Sequence, residues 1–221
     1  SPFVYLDHDF HHLLTSWFNR GFLVLRRIDW TSPAHILEKI IAYEAVHQIN
    51  DWDDLRRRLH PADRRCFAFF HPAMPDEPLV FVEVALTDAI PNSIQAVLSE
   101  DREPIDVGTA TTAVFYSISN CQTGLKGISF GNSLIKQVVQ DLSAELRNLS
   151  TFVTLSPVPG FTKWLGGQET PDAATARDAV AAALAGDGSA LAETDDTLRH
   201  LAADYFLKSK RGDGRPIDPV A

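Results

Sequence analysis

YSISNCQTGLKGISFGNSLIKQVVQDLSAELRNLSTFVTLSPVPGFTKW, residues 116–164, holds in one run a strand end, a glycine-spaced turn, an amphipathic helix, a second strand and a serine bounded by prolines. The first strand is AVFYSIS, Ala113 to Ser119, apolar and aromatic residues interrupted only by small hydroxyls. Asn120 and Cys121 stop it, and Gly124, Gly127 and Gly131 then precede a helix expected to run to about Leu146. Glycines there remove the Cβ atoms that would hold a phosphate away from backbone N–H groups, and a helix N-terminus adds roughly half a unit of positive charge. The order predicts a cradle for a phosphate-bearing carrier, with Ser156 delivered beside it by the second strand, Thr151 to Leu155.

Working outward, residues 3–19 carry apolar positions at helical spacing that end at Gly21, and a short strand, Phe22 to Ile28, follows. TSPAHILEKIIAYEAV reads as a helix capped by Thr31 or Ser32, with Pro33 in its first turn and Ile36, Ile40, Ile41 and Ala45 as its apolar stripe. A second helix is expected around Trp52 to Leu59. Two strands, Arg65 to His71 and Leu79 to Leu86, are joined through a turn containing Pro72, Pro75 and Pro78, which is a hairpin pattern. Glu100 to Gly108 reads as a loop, and Pro171 to Leu207 as mostly helical, interrupted by the GDG at 186–188. Helices, then antiparallel strands, then a strand–helix–strand unit predict a mixed α/β sheet whose ligand sits where two strands separate.

Composition narrows the function. A chain of 221 residues that is 45% hydrophobic can bury a core in one large domain or two small ones. A formal charge of −9 argues against a nucleic-acid surface, so an anionic ligand would be held by local backbone donors and a few cations. Two cysteines, Cys66 and Cys121, neither in a CxxC pair, indicate no disulfide framework and no zinc ribbon, and fit a reducing compartment. Apolar runs such as LVFVEVAL are far shorter than the ~20 residues of a membrane span, and no signal-peptide layout opens the sequence. We expect a cytoplasmic protein with no membrane partner.

Among single residues, Ser156 stands out because Pro157 and Pro159 restrict the backbone beside it and Gly160 allows a sharp exit. From the residues alone it is either a held, reactive hydroxyl or a serine ending a strand in an ordinary proline turn. Ser117 and Ser119 either point at a ligand or face the core with their hydroxyls satisfied by backbone. His8, His11 and His12 have helical spacing, but with Asp7 and Asp9 beside them they read as a solvated face, and no metal site is assigned. Arg56 to Arg58, Arg64 and Arg65 read by default as a solvated, salt-bridged face, with the phosphate of a nucleotide as the other choice. Cys66 and Cys121 read as semi-buried thiols.

The block CQTGLKGISFGNSLIKQVVQDLSAELRNLSTFVTLSPVPGFTKWL closely resembles the catalytic domain of malonyl-CoA decarboxylases. WFNRGFLVLRRIDW, SPAHILEKIIAYEAVHQINDWDDLRRRL, RRCFAFFHP and PLVFVEVALT resemble that family's upstream sequence in the same order, so the resemblance covers nearly the whole chain. It implies an acetyltransferase-like (GNAT-type) fold that decarboxylates malonyl-CoA to acetyl-CoA, with residues 1–221 as a fragment of the catalytic domain. The helical N-terminal domain and the final C-terminal part would lie outside this fragment, which is expected to be inactive and aggregation-prone alone.

Several roles follow from the resemblance only. Ser156 matches the serine described as proton acceptor, and its partner histidine would come shortly after Ala221. Lys126, Gly127, Ile128, Ser129, Phe130, Gly131 and Asn132 match the coenzyme A turn, with Ser117 as a further substrate contact. Ser129 departs from members that carry an acidic residue there. Malonyl-CoA and acetyl-CoA are the implied partners, no metal or organic cofactor is implied, and a homo-oligomer is permitted. The same superfold also leaves open an acyltransferase, and the absent histidine leaves open a non-catalytic acyl-CoA binding module.

Overall fold

Five strands lie side by side in the order of the sequence: β1 (Val24–Ile28), β2 (Arg64–His71), β3 (Met74–Thr87), β4 (Thr112–Asn120) and β5 (Thr151–Thr154). The computed structural model describes residues 22–122, 131–158, 160–185 and 187–210, and residues 9 and 13 besides. The expected helix over 3–19 therefore lies outside the described residues, apart from Asp9 and Leu13, which are helical. The first four strands pair antiparallel and β4 pairs with β5 in parallel, which gives the mixed α/β sheet expected.

Alternation places the core on both faces of this sheet. From β2, Phe67 and Phe69 join Val80, Val82 and Leu86 of β3 and Phe115 of β4 under Leu134, Val138 and Leu142 of helix α4 (Gly131–Glu145). On the opposite face, Cys66, Ala68 and Phe70 with Phe81 pack against Ile36, Leu37 and Ile40 of α1 (Ala34–Tyr43) and Leu55 and Leu59 of α2 (Trp52–Leu59). Period two in the strands meets period 3.6 in the helices, so one residue choice per position serves both elements.

Local chemistry explains the helix boundaries, with one correction. Asp51 caps α2 by accepting from Asp54 N at 2.8 Å, and Ser93 caps the short helix α3 (Ile94–Leu98), in a stretch to which the sequence pattern assigns no element. The caps expected for α1 do not form. Ser32 Oγ accepts from Asp29 N, Thr31 bonds to the Asp29 carboxylate, and Pro33 becomes the N-cap without any side-chain hydrogen bond. Hydroxyls near a helix start competed for the upstream turn, as short polar side chains do. The hairpin turn is also tighter than expected: β3 runs through Pro75 and Pro78, and the reversal is confined to Pro72 and Ala73, with irregular register beside His71.

Two compact units are present, residues 1–156 and 157–221. The second consists of α5 (Phe161–Gly166), α6 (Pro171–Leu184), α7 (Ser189–Glu193) and α8 (Asp195–Lys208). Its core is Leu165, Ala173, Ala176 and Leu201, where alanines allow close helix approach. Phe161, Trp164 and Tyr205 add an aromatic cluster with ring centroids 5.5–5.9 Å apart. Gly160 opens α5 at φ +81°, and a Cβ built there would stand 2.7 Å from Tyr205 Oη, so both backbone and space require glycine. No described helix is long and apolar enough to cross a membrane.

Candidate active site

β4 and β5 part company at Phe115. The parallel register runs from Thr112 opposite Thr151 to Phe115 opposite Thr154, and the last bond is donated by Leu155 N to Phe115 O at 2.9 Å. Ser156 follows at once and is exposed, while β4 continues to Asn120 paired with β3. Ser117 and Ser156 each lie two residues past the final rung, on diverging strands. Pairing between β4 and β5 thus ends one residue before Leu155, and we call the end of that pairing, where Ser156 emerges, the fork.

A bulge sets what the free half of β4 displays. Glu83 of β3 pairs with Ser117 and Val84 pairs with Phe115, leaving Tyr116 as the extra residue. Side-chain parity shifts by one at that point. Val114 and Tyr116, then Ser117 and Ser119, all face the side covered by α1, α2 and α3, whereas Ile118 returns to the apolar side under α4. Without the extra residue both serines would point into hydrocarbon.

Ser117 is buried, and its hydroxyl lies 2.8 and 2.7 Å from the two Glu44 oxygens. Ser119 Oγ donates to Glu44 Oε2 at 3.2 Å and accepts from Ala45 N at 3.2 Å. The Glu44 carboxylate also accepts from Val46 N and His47 N, each at 2.8 Å. A carboxylate therefore satisfies these hydroxyls where the sequence reading offered backbone. Gly131 and Asn132 begin α4, and Lys126, Gly127, Ile128, Ser129 and Phe130 lie outside the described residues.

Next to the serines is a buried ion network that the sequence reading missed. Glu83 is fully buried, and Arg58 reaches it at 3.3 Å while also donating to Asp54, His47 O and Gln48 O. Burial pushes the Glu83 carboxyl up to about 8; Arg58 opposes the rise and Glu44 adds to it. Desolvation thus outweighs the pull of Arg58, whose guanidinium also donates to Asp54 and two carbonyls. Glu83 Oε1 and Tyr116 Oη are buried with no protein hydrogen-bond partner among the described residues. Burial also raises the Tyr116 hydroxyl well above the usual range.

The expected solvated, salt-bridged face holds for two of the arginines, Arg56 being exposed and Arg57 pairing with Glu100 at 2.8 Å, and is corrected for Arg58, Arg64 and Arg65, which are all buried. Arg64 donates to Val97 O at 2.5 Å, and Arg65 bridges Glu145 of α4 at 2.7 Å. The detectable signal was Glu83, the single charge inside LVFVEVAL, since a charge in an all-apolar strand demands a cationic or hydrogen-bonding partner. Cys66 and Cys121 are both buried and free; burial raises the first well above its ordinary value and the second to about 12, so neither is a ready thiolate. No group of metal-ligating side chains occurs among the described residues. A cavity of about 290 Å3, lined by Asp63, Arg64, Leu86, Asp88, Val97 and Arg102, lies at the far end of the β3–β4 ladder from Ser119. Its strongest charges are spent on each other, Arg102 holding Asp63 at 2.6 and 3.0 Å.

The malonyl-CoA decarboxylase C-terminal domain family matches residues 21–221. The mitochondrial malonyl-CoA decarboxylase of Anser anser anser is 49% identical over 158 residues, 71% of this chain and 31% of that protein. The Rattus norvegicus protein of the same name is 47% identical over 157 residues, 70% of this chain and 32% of that one. Among solved structures, the malonyl-CoA decarboxylase from Agrobacterium vitis superposes with a TM-score of 0.83 at 57% identity, over 97% of this chain and 55% of that chain. The one from Rhodopseudomonas palustris gives 0.81 at 58% identity, over 98% and 55%. The chain thus spans about a third of these curated relatives and about half of these crystallised proteins.

Proposed function

Because the chain belongs to the malonyl-CoA decarboxylase family, we propose that the protein it forms part of converts malonyl-CoA to acetyl-CoA and carbon dioxide at the β4–β5 fork. The observation that carries the reading is the parting of β4 and β5 after Phe115, with Ser156 emerging exposed at that point. The bulged, forked sheet also supports an acetyltransferase-like fold for the domain.

Losing carbon dioxide breaks the bond between the carboxylate carbon and the α-carbon, and the electron pair moves through the α-carbon onto the thioester oxygen. The product of that step is an enolate, which takes a proton at carbon to give acetyl-CoA. The thioester carbonyl is itself the electron sink, so the chemistry asks for hydrogen-bond donors at the developing oxyanion and for a proton source. Ser156 is assigned as the hydroxyl beside the reacting group, with residues 126–132 as the turn that receives the coenzyme A phosphates; Ser117, implied by the resemblance as a substrate contact, belongs to the bordering strand β4 with its buried hydroxyl bonded to Glu44. Exposure of Ser156 at a fork leaves it accessible to a ligand, and the flanking proline at 157 limits its backbone freedom.

The test uses the full-length protein and malonyl-CoA labelled in the free carboxyl. Labelled carbon dioxide released without any acyl acceptor supports the proposal; acetyl transfer that depends on an added amine or thiol overturns it in favour of an acyltransferase. Ser156→Ala should lower kcat roughly a hundredfold to a thousandfold while leaving the affinity for the thioester near its original value. An equal loss of both would remove Ser156 from the reaction.

A further inference from the structure

Beyond Phe115, β4 has no paired strand on one side among the described residues, yet keeps a bulge that turns two serines toward Glu44. Glu44 ends α1, its own N–H still bonded to Ile40 O, and its chain then turns so that Val46 N and His47 N donate to the carboxylate. Four donors from two separate segments converge on two oxygens of one buried side chain, while Ala45 N closes the ring onto Ser119 Oγ. The hydroxyls come from the stretch of β4 that β5 no longer supports. Backbone groups of that stretch facing away from β3 border the fork where Ser156 emerges.

We infer that Glu44 is a positioning residue, which pins the unsupported half of β4 through Ser117 and Ser119 and so fixes the strand edge presented to the thioester. The inference rests on the reading of the fork as the decarboxylation site. A strand held on one side only can shift by fractions of an ångström, and misplacement of about 1 Å near reacting atoms can lower a rate about a hundredfold. What matters here is the reach of the side chain. Glutamine keeps that reach: its carbonyl can accept from Val46 N and His47 N, and its amide can donate to hydroxyls that reverse their direction. Aspartate keeps the carboxylate but withdraws it by one methylene from both serines.

The experiment compares Glu44→Asp and Glu44→Gln in the full-length protein, with kcat and KM for malonyl-CoA and amide hydrogen exchange across β4. Glu44→Asp should lower kcat about tenfold or more, leave KM within about twofold, and speed exchange at residues 116–120 while 112–115 stay protected. Glu44→Gln should stay within about threefold of the parent in kcat and keep exchange slow. A purely structural role predicts loss of melting temperature and active fraction with kcat per folded molecule unchanged, and that result overturns the inference. A folded Glu44→Gln with kcat down about tenfold also overturns it, by making charge the essential property; this arm decides the matter even where Glu44→Asp fails to fold. A parent protein that releases no carbon dioxide sinks the reading of the fork itself, whereas an active parent with a fully active Glu44→Asp sinks only the role of Glu44.

Discussion

The sheet has one face built of hydrocarbon and one built around charge. Under α4, Phe67, Phe69, Val80, Val82 and Phe115 cluster with Leu134, Val138 and Leu142, and the charge on this side, the buried Arg65, is bridged to Glu145 at the end of α4. Under α1 and α2, apolar residues surround Glu44, Glu83, Arg58, Ser117 and Ser119, all buried. The first face contributes stability in proportion to the area it removes from water. The second spends part of that gain on desolvating ionisable groups, and what it obtains is a fixed strand geometry next to the fork. A protein selected for stability alone would fill both faces with leucine and valine, since well-packed apolar groups often match or exceed a buried ion pair.

The contrast can be broken most severely on the apolar side. Phe69→Ala should cost about 3–5 kcal/mol, because a fully buried ring leaves a cavity that neighbours in a central strand can close only in part. Denaturant midpoints at pH 6 and pH 8.5 should show the same loss at both, since no titrating group is removed. A loss much below that range would mean that the α4 face is not the main store of stability.

Glu83→Gln sharpens the contrast from the polar side and should depend on pH. Folded Glu83 keeps its proton up to about 8, while its ordinary value is 4.5. Its contribution to stability is therefore fully present below pH 4.5, declines as pH rises, and has been lost above about 8. Glutamine does not titrate. Relative to the variant, the parent should lose stability between pH 5 and pH 8.5, by on the order of a few kcal/mol across the window. Midpoints measured over that range with a constant difference between the two proteins would show that Glu83 is ionised in the fold at every pH tested.

The smallest expected effect lies at the edge of the polar face. Asp51→Ala should cost about 1 kcal/mol, the loss of one cap at the start of α2, with the midpoint again as readout. A much larger loss would mean that the start of α2 also anchors Arg58, which projects from the same helix into the network.

Most elements were legible because they obey local rules. Trp52–Leu59 was found to the residue, and β2, β4 and β5 within a residue of the expected ends, since alternation, stripes and punctuation act over a few positions. α3 escaped because five residues carry too little periodicity to separate from a loop. The caps of α1 were misplaced because Ser32 and Thr31 had an equally local competitor in Asp29. Ser156 was visible as a candidate from its prolines, but the contact of Glu44 with Ser117 was not: Glu44 sits 73 residues before Ser117, and only the fold brings them together.

Sequence alone determined the kinds and order of most described elements and the family to which the chain belongs. Tertiary structure decided which charges are buried. Arg58 and Glu83 look like an ordinary surface cation and a stray strand acid until β2, β3 and α2 pack and remove both from water. It also decided the facing of Ser117 and Ser119, because the extra residue at Tyr116 arises in the pairing of β4 with β3 and not in β4 itself. Secondary structure follows from neighbours along the chain, whereas desolvation and strand register are properties of partners that meet only after folding.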